Sequence, residues 1–218
     1  MTQPESLADL LGGRRAALDA TVPPVVFVAA WLAGGRSIWV GAGAAIVAAL
    51  VVAGWRLRQG EKPRAVLVGL LGVCVAALIA LRTGRAEDFF LVQIVTNAAS
   101  ALAWTVSIVI RWPLLGVIVG AVLGQKTRWR RDPALLRAYS RGSWVWVAQY
   151  LVRLAVFVPL WAAHAVVALG VARGVLTWPL VAACLAVSWW VIRRSLPAGH
   201  PGLRHPRSAV DAHADGLG

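Results

Sequence analysis

The sequence is poor in acidic residues, in charge altogether and in cysteine. Only 9 of its 218 residues are Asp or Glu, and charged residues make up 14% of the chain. A soluble domain usually carries about 25% charged residues, so this deficit argues against an ordinary globular enzyme. The 2 cysteines, Cys74 and Cys184, both lie inside apolar runs, which argues against a disulfide framework and against a zinc site.

The chain is instead rich in apolar residues and in positive charge. Apolar residues make up 59% of the sequence and the mean hydropathy is +0.71, which is typical of a membrane protein. The 22 Lys and Arg residues give a formal net charge of +13. In a soluble protein this charge would suggest nucleic acid, but beside long apolar runs it predicts basic loops that contact anionic lipids. We therefore expect membrane lipids as partners, no nucleic acid and no cofactor.

The N-terminus does not have the composition of a cleaved signal peptide. Glu5, Asp9 and Asp19 precede the first apolar run, whereas a signal peptide begins with basic residues followed by an apolar segment. We expect residues 1–20 to form a cytoplasmic N-terminal segment of the mature chain. The Pro- and Gly-containing residues 196–218 have no apolar period, which predicts a disordered cytoplasmic tail.

Six apolar runs bounded by charge have about the length of membrane-spanning helices. At about 20 residues per span, they predict an all-α, polytopic transmembrane bundle over residues 21–195. A shorter run at 113–124 would cover only about 18 Å at 1.5 Å per residue. We therefore expect an interfacial or half-depth helix between spans four and five. The predicted spans are residues 21–35, 38–55, 65–81, 89–110, 143–167 and 174–192.

Charge placement supports this count of spans. Lys and Arg in short loops favour the cytoplasmic side, and six spans with a cytoplasmic N-terminus place most of the 22 cations there. A seventh span at 113–124 would move the cations from Lys126 to Arg141 to the outer face, so we reject it. We expect a bacterial cytoplasmic-membrane protein with both termini inside. The outer loops then carry Arg36, Arg82, Arg85 and Arg173.

Four side chains predict a polar cluster within the membrane. Gln93 and Asn97 share one face of span four, and Gln149 and Arg153 share one face of span five. If span five begins near Ser143, an Arg at this depth costs about 2.5–3.5 kcal/mol unless it pairs or snorkels, so we expect Arg153 to face the bundle interior. If the helix begins at Gln149, Arg153 is instead an interfacial anchor that snorkels. Hydrogen bonds between the helices and a water-lined pathway are both open interpretations. His164, nearer the outer end of span five, is expected to be a hydrogen-bonded packing residue.

The loop after span three carries a dense charged motif. Arg82, Arg85, Glu87 and Asp88 lie within seven residues, directly before an aromatic pair. Carboxylates at the start of a helix complement the positive end of its dipole, which accounts for both acids. A catalytic or substrate-binding acidic pair is the alternative. The sequence contains no GxSxG, no HExxH and no acidic pair with metal-ligand spacing in a span, so we assign no catalytic residue and no metal ligand.

Two further motifs follow span four. Gly116, Gly120 and Gly124 form a GxxxGxxxG ridge, which permits close helix packing and is compatible with a homo-oligomer. The basic run that comes next is predicted to contact anionic lipid headgroups, at roughly 1 kcal/mol per cation near the surface. Its cations are Lys126, Arg128, Arg130 and Arg131.

Several ordered motifs stand between roughly residues 8 and 195. They are Gly12-Gly13-Arg14-Arg15, Arg82-Thr83-Gly84-Arg85-Ala86-Glu87-Asp88-Phe89-Phe90, Asn97, Arg111 with Pro113-Leu114, and Trp129-Arg130-Arg131-Asp132-Pro133. With them the sequence resembles the actinobacterial integral-membrane family catalogued as domain of unknown function 3159. That family is in turn similar to the intracellular septation protein A family of the inner membrane. The resemblance implies a cytoplasmic-membrane protein tied to envelope maintenance or cell division, and it carries over no catalytic residue.

Three functions are consistent with these features. The leading hypothesis is a membrane protein that supports the cell envelope through contacts with lipids and with division or envelope membrane proteins. The alternative is a small transporter or channel whose path is lined by the polar cluster of spans four and five. The third is an enzyme acting on a lipid or isoprenoid, with Glu87 and Asp88 as its acids.

Overall fold

The computed structural model describes residues 13–61, 63–125 and 127–197, with side chains from Thr21 onward. All regular structure in these ranges is helical, which confirms the predicted all-helical class. Lys62, Lys126, most of the predicted N-terminal segment and the predicted tail after Pro197 lie outside the described residues.

Seven α-helices and two short 3₁₀ helices make up this part of the chain. The 3₁₀ helices are Ala86–Phe90 and Arg128–Arg131. The short helix expected between spans four and five is present as α5. The α-helices are α1 (Gly13–Ala33), α2 (Ile38–Arg58), α3 (Pro63–Thr83), α4 (Leu91–Val109), α5 (Leu114–Val122), α6 (Pro133–Ala162) and α7 (Val166–Ser195).

Within the described residues, five helical segments are long and apolar enough to cross a membrane, as expected of a multi-pass membrane protein. They are α2, α3, Ala86–Val109, α6 and α7. α1 has 21 residues; the part with described side chains, Thr21–Ala33, is apolar and covers about 20 Å of the roughly 30 Å hydrocarbon layer. Pro23 and Pro24 lie inside α1. The sixth span therefore stays a prediction.

The boundary between α6 and α7 differs from the sequence prediction. α6 ends at Ala162 and α7 begins at Val166, so the predicted outer-loop position of Arg173 is wrong and this residue lies inside α7. His164, just beyond the end of α6, is in the left-handed region at φ 55°, and the Ala165 N–H donates to the Leu160 carbonyl at 3.0 Å. This is the usual geometry of a helix end, formed here without the glycine that commonly marks it.

The described residues form two compact units. Unit 1 extends to Val95 and includes Ala155–Trp178. In its core, the Phe27 and Phe89 rings stack with centroids 4.1 Å apart. α1 and α2 approach closely, because a Cβ at Gly41 would lie 3.1 Å from the Phe27 backbone oxygen. The buried face of α2 consists of small residues that allow this approach, namely Gly41, Ala42, Ala45, Ala49 and Ala53.

Unit 2 comprises Thr96–Leu154 and the described residues from Pro179 onward. Trp104 of α4 stacks on Trp146 of α6, with ring centroids 5.3 Å apart. Trp129 meets the Tyr139 ring edge-on at 5.6 Å, a favourable arrangement for aromatic pairs. The core of this unit contains Trp104, Leu115, Trp129, Leu135, Ala138, Tyr139, Val147 and Ile192.

Candidate functional site

The charged motif after α3 folds so that its two acids are buried. Gly84, at φ 70°, turns the chain into the 3₁₀ helix Ala86–Phe90, a conformation that glycine adopts without steric cost. Glu87 and Asp88 retain only 6% and 3% of their accessible surface. They lie in the first turn of the 3₁₀ helix. Arg82 is exposed at the end of α3.

Both buried carboxylates have a side-chain partner that is distant in sequence, and Glu87 also has a neighbouring one, Arg85. The Arg85 Nε–H donates to Glu87 Oε1 at 2.8 Å, and His164 Nδ1 lies 2.5 Å from the same oxygen. The Trp161 Nε1–H donates to Asp88 Oδ1 at 2.8 Å. Buried carboxylates need such partners, because losing their hydration is costly. These bonds also make His164 a carboxylate partner with a 63% exposed side chain, in place of the packing residue that the sequence predicts.

Two arginines beside these acids lie over tryptophan rings. The Arg36 guanidinium is 5.9 Å from the Trp31 ring centroid, and that of Arg85 is 5.4 Å from the Trp161 ring centroid. Contacts of this kind attract a cation to the ring face. The hydrogen bond to Glu87 also raises the pKa of Arg85 above its ordinary value, so Arg85 stays charged.

These side chains surround a cleft of about 570 Å³ at the ends of α1, α3 and α6. We call it the loop cleft, and the residues that define it are Trp31, Arg36, Gly84, Arg85, Glu87 and His164. Both signs of charge are present, with two arginines and one carboxylate. The loop cleft can therefore bind an anion or a polar headgroup at its cationic side.

An apolar groove of about 760 Å³ shares Trp31, Arg36 and His164 with the loop cleft. We call it the valine groove, because it continues along α7. Besides the shared residues, it is lined by Leu32, Val167, Val171, Val175 and Leu176. The two clefts together form a surface with one charged end and one apolar end.

The predicted intramembrane polar cluster is divided between the two units. Gln93 belongs to unit 1, where its Oε1 accepts a hydrogen bond from Arg173 of α7. Asn97, Gln149 and Arg153 belong to unit 2. The sequence missed the partnership of Gln93 and Arg173 because it placed Arg173 in a loop.

Unit 2 contains several buried polar atoms for which the described residues supply no hydrogen-bond partner. Asn97 Nδ2 and Gln149 Oε1 are two of them. Buried polar groups are nearly always hydrogen-bonded to protein or to ordered water, so water or a solute is the natural partner here. The others are Tyr139 OH, Ser143 Oγ, Trp146 Nε1 and Ser188 Oγ. Three of these four lie on α6, at helical spacings that place them on one face with Gln149.

The predicted lipid-contacting run is held in place by its one apolar residue. Trp129 is 1% exposed and packs against Gly116, where a Cβ would come within 2.8 Å of the ring. Asp132 Oδ1 accepts hydrogen bonds from the Ala134 and Leu135 N–H groups at 2.9 and 3.2 Å, as an N-cap of α6 does. Two buried residues, Trp129 within the run and Asp132 directly after it, therefore fix its position.

The arginines around Trp129 face away from the core. Arg130 lies over Trp112, 3.9 Å from the ring centroid. Arg128 and Arg131 are exposed and line a cleft of about 360 Å³. We call it the basic cleft; its residues are Gly124, Gln125, Thr127, Arg128 and Arg131.

The predicted glycine ridge serves contacts within unit 2. Gly116 and Gly120 are buried on α5, and Gly116 receives the Trp129 ring. Gly124 lies beyond the last residue of α5 at φ 66°, where it turns the chain toward the basic cleft. At this position a glycine avoids the strain that a side chain would introduce.

Comparison with known proteins gives a family and no relative of known activity. Among the described side chains, residues 21–61, 63–125 and 127–197, no group of three His, Cys, Asp or Glu is placed to hold a metal ion. The chain has no match among the curated proteins or among the solved structures. A family model described as a protein of unknown function, DUF3159, matches residues 11–199. The chain belongs to the DUF3159 family.

Proposed function

We propose that this protein holds anionic lipid headgroups at its basic cleft and thereby supports the cell envelope through lipid and protein contacts. The observation that carries the proposal is the arrangement of Arg128 and Arg131 around one concave surface, fixed from behind by the buried Trp129 ring. A headgroup phosphate is recognised well by arginine, whose planar group donates to two oxygens at once.

The proposal also agrees with the charge distribution. The basic cleft belongs to the segment that the sequence places on the cytoplasmic side, where anionic lipids attract cations at about 1 kcal/mol each. Arg130 stacks on Trp112, and tryptophan prefers the headgroup layer of a bilayer. Two arginine contacts would then contribute about 2 kcal/mol, which corresponds to roughly 30-fold in lipid affinity.

Lipid retention by the purified protein tests this proposal. The chain is reconstituted in nanodiscs of phosphatidylcholine with 20% phosphatidylglycerol, and the lipid still bound after detergent extraction is counted by native mass spectrometry. We expect the double variant Arg128→Gln/Arg131→Gln to retain fewer phosphatidylglycerol molecules than the unchanged chain. Arg58→Gln/Arg64→Gln is the matched control, because it removes the same charge from exposed positions. Equal loss in both variants would contradict a specific site.

A second candidate function is a solute pathway in unit 2. It is favoured by the buried Asn97 Nδ2 and Gln149 Oε1 atoms, which have no partner among the described residues and suit water or a polar solute. Solute uptake by reconstituted vesicles tests it, and the pathway predicts flux that falls in Gln149→Leu. Normal flux in that variant would rule out a path past Gln149.

The bonds of Glu87 and Asp88 to Arg85, His164 and Trp161 favour a structural role for the two acids over catalysis.

A further inference from the structure

From unit 1 we infer a second lipid site, independent of the basic cleft: the loop cleft binds the headgroup phosphate of a membrane lipid, and the valine groove receives one acyl chain. The proposal combines a cationic end and an apolar end that share Trp31, Arg36 and His164. Both ends lie within unit 1.

Hydrogen-bond donors in the loop cleft outnumber the acceptors that they can use. Arg85 donates through Nε to Glu87 Oε1 at 2.8 Å, while its Nη2 lies 3.2 Å from His164 Nδ1. That Nδ1 atom is also 2.5 Å from the Glu87 carboxylate, which accepts hydrogen bonds and cannot donate when ionised. If His164 donates to Glu87, Nδ1 cannot also accept from Arg85, so the Nη2 group is left for an acceptor from outside the protein.

Arg36 supplies a second cation without a carboxylate. Its guanidinium lies near the Trp31 ring, and no carboxylate within the described ranges forms an ion pair with it. Glu87 forms an ion pair with Arg85, and the charge of Asp88 also acts on Arg85, so Arg36 is the cation of the cleft that is left for an anion. A phosphate diester, which carries one negative charge, matches that charge.

Backbone dipoles do not decide the choice of ligand. α1, α3 and α6 end at the loop cleft, whereas α2 and α7 begin there. The negative ends of some helices therefore oppose the positive ends of others. The side chains, above all Arg36 and Arg85, must provide the attraction for the anion.

The valine groove has the length of one lipid leaflet. It follows α7 from Val166 to Leu176, which is about 15 Å at 1.5 Å per residue. Half of the roughly 30 Å hydrocarbon layer is the same length. Val167, Val171 and Val175 are exposed and present only apolar surface. A free phosphate would leave this groove unused, whereas a lipid occupies both ends.

Competition binding on the full chain in detergent micelles tests the site. The probe is a fluorescent phosphatidylglycerol, displaced in turn by unlabelled phosphatidylglycerol, phosphatidylcholine, glycerol phosphate and inorganic phosphate. We expect phosphatidylglycerol to compete at least about 10-fold better than either soluble phosphate or phosphatidylcholine. Equal competition by the soluble phosphates would overturn the role of the groove, and equal competition by phosphatidylcholine would overturn the charge match.

Two variants separate the ends of the site. Arg36→Asn removes the cation, and Asn tolerates the left-handed conformation at φ 66°; we expect at least about 10-fold weaker phosphatidylglycerol binding. Val171→Trp fills the groove and should weaken phosphatidylglycerol binding while leaving glycerol phosphate unchanged. Arg82→Asn is the control, because it removes an exposed arginine that does not line the cleft.

The outcome also separates this site from the basic cleft. In a chain that also carries Arg128→Gln/Arg131→Gln, Arg36→Asn and Val171→Trp should weaken phosphatidylglycerol binding as much as they do alone. This expectation holds even if Arg128→Gln/Arg131→Gln causes no loss of lipid at the basic cleft. If Arg36→Asn and Arg82→Asn weaken binding equally, general surface charge explains the result and the proposal fails. Unchanged affinity in both Arg36→Asn and Val171→Trp, with native-like thermal unfolding, would also refute it.

Discussion

Replacing Trp161 by Phe removes the hydrogen bond to Asp88, the more deeply buried carboxylate of the charged motif. Phe keeps an aromatic ring and loses the Nε1–H that donates to Asp88 Oδ1 at 2.8 Å. Asp88 is only 3% exposed, so water cannot easily replace this donor. A hydrogen bond to a charged group contributes about 1.5–3 kcal/mol, and we expect Trp161→Phe to lower the free energy of unfolding by about that amount.

Reversible unfolding by SDS in mixed micelles measures this cost. The change also affects the contact between Arg85 and the Trp161 ring, so the hydrogen bond is isolated by a double-mutant cycle with Asp88→Ala. We expect most of the cost of Trp161→Phe to disappear in the Asp88→Ala background. Trp39→Phe, at a 75% exposed ring, is the control and should change stability by less than about 0.5 kcal/mol. If the cost of Trp161→Phe is the same in both backgrounds, the bond does not stabilise the fold.

Two other packing and pairing features give predictions that the same unfolding assay checks. Gly116→Ala should cost about 1–3 kcal/mol, because its Cβ would lie 2.8 Å from the buried Trp129 ring. Gly69→Ala, where a Cβ meets open space, should be neutral or stabilising, and an equal loss at both sites would contradict the packing at Gly116. Gln93→Leu should cost about 1.5–3 kcal/mol, since it removes an acceptor from Arg173. Its cost should fall when Arg173 is also changed to Met, and a cost that is unchanged there would show that the pair is unimportant.

The helices could be predicted from the sequence, because apolar length and the lipid requirement for internal backbone hydrogen bonds leave few alternatives. The ends of the helices could not be predicted as well. Arg111 and His164 adopt left-handed conformations at helix ends, with φ of 56° and 55°, where the usual signal is glycine. Because the helix end at His164 carries no glycine, the sequence placed the loop too late in the chain and put Arg173 in it. The structure places Arg173 in α7.

In the candidate sites, the sequence revealed residues that form local patterns, but it did not reveal their partners from distant parts of the chain. Local patterns indicated the acids Glu87 and Asp88 and the basic run. The partners of these acids, Trp161 and His164, lie more than 70 residues away along the chain. No spacing rule connects residues so far apart, because their contact depends on how the helices pack. The sequence likewise showed Trp129 as part of a motif, but it could not show that its ring is buried against Gly116.

From the placement of charge in the sequence, we propose that position 127 in the basic run is cytoplasmic and that position 82 in the loop after α3 is on the outer side. Single cysteines introduced as Thr127→Cys and Arg82→Cys, both at exposed positions, test it in a chain with Cys74→Ser and Cys184→Ser. A membrane-impermeant thiol reagent applied to intact cells should label the cysteine at position 82 and should label that at position 127 only after permeabilisation. Labelling of position 127 in intact cells, or of both positions equally, would contradict the account.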